Sequence, residues 1–160
     1  MMGKWSSVIL FFFGLYGIIK GMTLNPQNIQ QYYECWILAQ CYSNGPAIQF
    51  ESCIRNSLTP EDLNEVYQFI REYYAHYRSD TYDSGVIEMC NERDDMRRQT
   101  YTAEINGLLG YQRVLCNNPY TQDKCYRLTN EINCAFSLLE GLRQNNVCKI
   151  SGPTKYVVLI

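Results

Sequence analysis

The chain has 160 residues, with 14 basic and 16 acidic side chains, one histidine and eight cysteines. So mildly acidic a balance, with no long basic cluster, argues against nucleic acid or heparin as partners, because polyanion binders carry a concentrated basic patch. The single histidine and the lack of any C-x2-C pair leave no spacing for a structural zinc site.

Near the N-terminus Lys4 precedes residues 8 to 19, VILFFFGLYGII, an uncharged run too short to span a bilayer, which takes about 20 apolar residues. A charged start, a short apolar run and the small Gly21 predict a secretory signal peptide over residues 1 to 21. The expected mature chain is a single secreted domain of residues 22 to 160. Taking Lys4 and Lys20 from the 14 basic residues leaves 12 against 16 acids, a net charge of −4. All eight cysteines lie in this part. In an oxidising compartment an even set reads as a disulfide framework, so Cys35, Cys41, Cys53, Cys90, Cys116, Cys125, Cys134 and Cys148 are all assigned to bridges.

Helix signals then follow one another along the mature chain. Asn25 and Pro26 supply an N-cap and a first-turn proline, and Ile29, Tyr32, Trp36 and Ala39 form an apolar stripe at helical spacing. Asn44, Gly45 and Pro46 break that helix. A second is expected from residue 47 to about residue 57, burying Ala47, Phe50 and Ile54 beside Cys53. In SLTPEDL, Thr59 caps a third helix, Pro60 takes its first position, Glu61 and Asp62 favour the dipole, and Leu58 and Leu63 hold the staple positions. Leu63, Val66, Ile70, Tyr74 and Tyr77 continue its apolar face. Residues 79 to 85, SDTYDSG, read as a polar loop. Asp80, Ser84 and Gly85 match three places of a calcium loop, but Tyr82 and Asn91 stand where two ligands are required.

Residues 86 to 115 favour helix with weaker periodicity. Met89, Met96 and Ala103 recur at seven, while Tyr101, Ile105, Leu108 and Leu115 trace an overlapping face. Gly107 and Gly110 each cost about 1 kcal/mol against Ala in a helix interior, which leaves open one helix or two kinked there. The charged cluster Arg93, Arg97 and Arg98 is interleaved with acids, and Asp94 with Arg98 at i,i+4 reads as a solvated face.

The most regular pattern is the last. After the turn at Asn117, Asn118 and Pro119, the residues Cys125, Leu128, Ile132, Ala135, Leu139 and Leu142 fall at alternating spacings of three and four. Nine residues of helix separate Cys125 from Cys134 by roughly 13.5 Å of axial rise and half a turn. A disulfide needs Cα atoms within about 7 Å, so these two join different partners. The same reasoning forbids Cys35 with Cys41. Of the roughly 105 pairings that eight cysteines allow, these two exclusions leave about 78, so spacing narrows the framework without solving it. Cys148 is expected to tether an extended C-terminal tail ending in YVVLI.

The predicted fold is therefore all-α, a disulfide-stapled bundle of five to six helices. Catalytic chemistry has little to work with: His76 stands among tyrosines in YYAHYR, no G-x-S-x-G surrounds a serine, and an even cysteine count spares no thiol. No catalytic residue, metal or cofactor is assigned. Tyrosine is the other excess, with fourteen in the chain. Tyr73, Tyr74, Tyr77 and Tyr82 cluster around the third helix and its loop, and tyrosine is favoured at binding surfaces because it adds apolar area with few rotatable bonds.

Eight cysteines in a helical secreted chain invite comparison with plant lipid-transfer proteins, whose adjacent Cys-Cys and C-x-C elements have no counterpart here. Insect odorant-binding proteins are nearer. The chain resembles them in its signal, its helices and the eight residues between Cys125 and Cys134, while eleven residues between Cys41 and Cys53 stand where that family has C-x3-C. In kind the chain resembles cysteine-rich helical proteins of arthropod venom, salivary and silk glands. The resemblance implies a secreted extracellular protein, non-enzymatic, that binds a protein partner in the manner of a toxin or salivary factor. The other expectation is a carrier enclosing a small lipophilic ligand between helices, which requires a cavity of at least about 300 Å³. Neither involves nucleic acid or a stable membrane span.

Overall fold

A computed structural model describes residues 26 to 42 and 45 to 148. The expected signal peptide, its cleavage point, the Asn25 cap and the tail after Cys148 lie outside these residues.

A 3-10 segment, Pro26–Tyr32, leads into helix α1, Tyr33–Cys41. Its stripe is buried as expected, with Ile29, Tyr32, Trp36 and Ala39 all in the core. The Tyr101 hydroxyl donates to the Ile29 carbonyl at 2.6 Å and fixes the segment from across the bundle. Helix α2 spans Gly45–Ser57, so Gly45 and Pro46 open it rather than merely end α1. A first-turn proline loses no hydrogen bond, because its missing N–H would have had no intrahelical partner.

Helix α3, Pro60–Tyr73, starts where the caps place it. The Thr59 hydroxyl accepts from the Asp62 amide at 3.1 Å, and the Asp62 carboxylate accepts from the Thr59 amide at 3.0 Å. Leu58 and Leu63 are both buried beside this cap. Its end differs from expectation. The helix stops at Tyr73, so Tyr77 lies in the following loop, and the stretch read as loop contains the start of helix α4, Tyr82–Cys90. The reason is a second capping box, in which Thr81 and Ser84 exchange backbone and hydroxyl contacts.

Helix α5, Asp94–Asn117, follows a break at residues 91 to 93 and runs through both glycines. Neither kinks it. A Cβ on Gly107 would lie 2.9 Å from Ile70 Cγ1, and one on Gly110 would lie 2.6 Å from the Tyr74 hydroxyl. The glycines are where α3, with the Tyr74 that follows it, packs closely onto α5. Met96 is exposed, whereas Arg97 is buried, reversing the solvated-face reading for that arginine. Its guanidinium donates to the Cys90 carbonyl and the Tyr33 hydroxyl, both at 3.3 Å.

A 3-10 turn, Pro119–Thr121, reverses the chain into helix α6, Gln122–Gln144. Leu128, Ile132, Ala135 and Leu139 are buried, with Phe136 filling the gap between them. Helix α6 packs on α2 and α5, α1 packs on α2, and α3 packs on α5. The described residues contain no strand. Asn146 then adopts φ 55°, which asparagine tolerates better than most residues, and the chain turns so that Cys148 reaches α1.

The bridges are Cys35–Cys148, Cys41–Cys90, Cys53–Cys134 and Cys116–Cys125. Cys125 and Cys134 do take different partners. Cys116 and Cys125, also nine apart, can pair because the Pro119 turn folds the chain between them and brings their Cα atoms to 5.0 Å.

Candidate functional site

The tyrosine group divides into an outward and an inward pair. Tyr73 is 62% exposed and Tyr74 is 37% exposed at the end of α3. Tyr77 is buried, stacks on Tyr67 at 5.6 Å between ring centroids, and donates its hydroxyl to Glu104. Tyr82, the first residue of α4, turns inward and accepts from Gln40 Nε2 at 3.3 Å. Burial pushes the Tyr77 and Tyr82 hydroxyls well above the ordinary phenol range. Tyr77 is therefore a core residue, which corrects its place in the expected binding group, while Tyr82 is half-buried against that core.

The outward pair belongs to a larger aromatic patch. Phe69 lies one turn before Tyr73 on α3, with centroids 5.0 Å apart, and it also approaches Tyr74 at 5.9 Å and Tyr111 of α5 at 4.9 Å. Tyr74 can lean over α5 because Gly107 and Gly110 present no side chain beneath it. The Tyr111 hydroxyl donates to Glu65 at 3.1 Å, and Lys124 Nζ holds the same carboxylate at 2.7 Å. This ties one edge of the patch across three helices. Phe69 was legible at i,i−4 from Tyr73. Tyr111 was not, since only packing of α3 on α5 brings it there.

A second feature lies inside. Helices α1 to α6 all line a cavity of about 70 Å³ whose walls are mostly aliphatic and aromatic, among them Trp36, Phe50, Ile54, Val66 and Phe136. Two carboxyl groups line it, Glu104 of α5 and Glu131 of α6. Burial raises Glu104 to about 8 and Glu131 to about 7. Glu104 accepts from the Tyr77 hydroxyl. Glu131 is 6% exposed, and its Oε2 makes no hydrogen bond among the described residues. The sequence signal was present but unread: Glu131 interrupts an otherwise apolar face between Leu128 and Ala135.

His76, in the loop after α3, is exposed. Among the described residues no three His, Cys, Asp or Glu side chains are placed to hold a metal, every cysteine is bridged, and no helix is long and apolar enough to cross a membrane. No family model, curated protein or solved structure matches this chain.

Proposed function

We propose that this chain is a secreted, non-enzymatic protein that acts outside the cell by binding a protein partner through the patch of Phe69, Tyr73, Tyr74 and Tyr111. The observation that supports it is the exposure of Tyr73 and Tyr74 at the end of α3, backed by the half-buried rings of Phe69 and of Tyr111 on α5. Rings held this way lose little freedom on association, and tyrosine anchors commonly dominate interface energies. Four disulfides fit an oxidising compartment, and residues 1 to 21 have the pattern of a secretory signal. A lipophile carrier is the weaker reading, because about 70 Å³ falls well short of the roughly 300 Å³ that enclosing such a ligand takes.

The test places a photocrosslinking side chain at position 73 and, as a control, at Ile48, which is 73% exposed on α2. Extracellular fluid should yield a protein adduct at 73 that the control lacks. Tyr73→Ala or Tyr74→Ala should then weaken that complex by more than about 1 kcal/mol. Equal labelling from both positions, or unchanged affinity in both variants, rejects the reading.

A further inference from the structure

Burying a carboxyl group without a partner is costly, since desolvation of an unmade hydrogen bond is not recovered elsewhere in the fold. Glu131 bears that cost in the middle of the bundle. The face of α6 it occupies is otherwise filled by Leu128, Ile132 and Ala135, where an apolar residue would pack without penalty. The groups around it do not neutralise it. No Lys, Arg or His lines the cavity. The polar groups that do are Glu104 from α5, Tyr82 from α4, Tyr67 from α3 and Gln40 from α1. Of these, Gln40 and Tyr82 bond each other, the Tyr67 hydroxyl donates to the Ser79 carbonyl, and Glu104 is engaged by Tyr77. The tyrosine hydroxyls are raised to about 12 or beyond and stay neutral in the physiological range.

We propose that this cavity is a binding site for a small organic ammonium, with its charged head donating to Glu131, in the field of Glu104, and its apolar body against Trp36, Phe50 and Phe136. Three features converge on that chemistry. An ammonium supplies the hydrogen-bond donor that Glu131 Oε2 lacks and the positive charge that two acids in one cavity call for. Aromatic walls attract organic cations through their ring faces. Walls this apolar also suit an alkyl body better than a bare metal ion, which asks for several oxygen ligands. The volume sets the size: at about 30 Å³ per water molecule, about 70 Å³ accommodates a body of a few heavy atoms. The site is separate from the aromatic patch, so its success or failure leaves the surface reading where it stands.

The sign of the pH dependence follows from burial. With Glu131 raised to about 7, most of the free protein carries it protonated at pH 6 and ionised at pH 8. A cation prefers the ionised form, so affinity should rise about tenfold over that interval, with Glu104, at about 8, extending the rise. Glu92, which raises Glu104 further, is the other acid acting on the site.

The experiment is calorimetric titration of the disulfide-bonded mature protein with n-propylammonium, and with 1-propanol and propionate as neutral and anionic counterparts. For four heavy atoms the dissociation constant should be no tighter than roughly tens of micromolar, so titration extends into the millimolar range. Expected are saturable binding of propylammonium, about tenfold tighter at pH 8 than at pH 6, at least tenfold weaker binding to Glu131→Gln, and no saturable binding of the other two. The pH series on the unaltered protein carries the test even if the variant does not fold. Propanol binding as well as propylammonium, affinity independent of pH, or no binding of propylammonium overturns the proposal.

Discussion

Asp62 shows how much one side chain can hold. It is 5% exposed, bonds the Thr59 amide and hydroxyl, and takes a two-point contact from Arg127 at 2.7 and 2.9 Å, joining the start of α3 to α6. Asp62→Ala removes the cap and leaves Arg127 unpaired, and should cost roughly 2–4 kcal/mol in chemical denaturation. Arg127 foremost, and the Thr59 bonds after it, hold the carboxyl far below its ordinary 3.8. Its contribution is therefore complete above pH 3.8 and is lost as the pH falls below that value. Glu131 works in the opposite direction. Its ordinary value of 4.5 rises to about 7, so between those values the unfolded chain is ionised while the native one still holds its proton. Stability drops as the pH rises through that window, on the order of 3 kcal/mol at 1.36 kcal/mol per unit. From these groups denaturation midpoints should peak between pH 3.8 and 4.5 and decline toward pH 8, with Glu131→Gln removing part of the decline and Glu104, raised to about 8, keeping the rest.

At the scale of elements, the α3–α5 contact separates two glycines that look alike in sequence. A methyl at Gly110 meets only the hydroxyl end of Tyr74, a partly exposed side chain that can swing aside. Helix propensity then favours Ala by about 1 kcal/mol, and Gly110→Ala should be neutral or stabilising in thermal melts. A methyl at Gly107 meets buried Ile70 at 2.9 Å and the Tyr74 ring near its root at 3.2 Å. Ile70 is packed into the core and has little room to give way, so Gly107→Ala should destabilise by about 1–3 kcal/mol. Local signals reached as far as local physics governs. Thr59 with Pro60, the α1 stripe and the α6 stripe were legible because caps and periodicity act within one element. The α4 start was missed because a polar SDTYDSG run looks like loop until Thr81 and Ser84 are recognised as a box. The Gly107 and Gly110 ambiguity could be resolved only by knowing which residues of α3 press there.

For the whole molecule, helical class and the count of bridges were readable from stripes and cysteines, whereas the pairing was not, since it depends on which helices become neighbours. The bridges differ in what they restrain. In the chain-entropy view, closing a separation of 9 residues at Cys116–Cys125 stabilises by about 3 kcal/mol, and closing 113 at Cys35–Cys148 by about 5 kcal/mol. Replacing both members of each pair with Ser should reproduce that order in guanidinium unfolding.

The same four bridges govern what a protease can achieve. Every peptide bond between Cys35 and Cys148 lies inside at least the loop closed by those two residues, and bonds between Cys53 and Cys90 lie inside three closed loops at once. The loop after α3, in which His76 and Arg78 are exposed on either side of buried Tyr77, falls in that triply closed region. A single cut there frees no fragment. A protease cutting there would leave a two-chain form still joined by three disulfides, with the aromatic patch and the cavity walls held to the same frame, so the two pieces part only when the bridges are reduced as well.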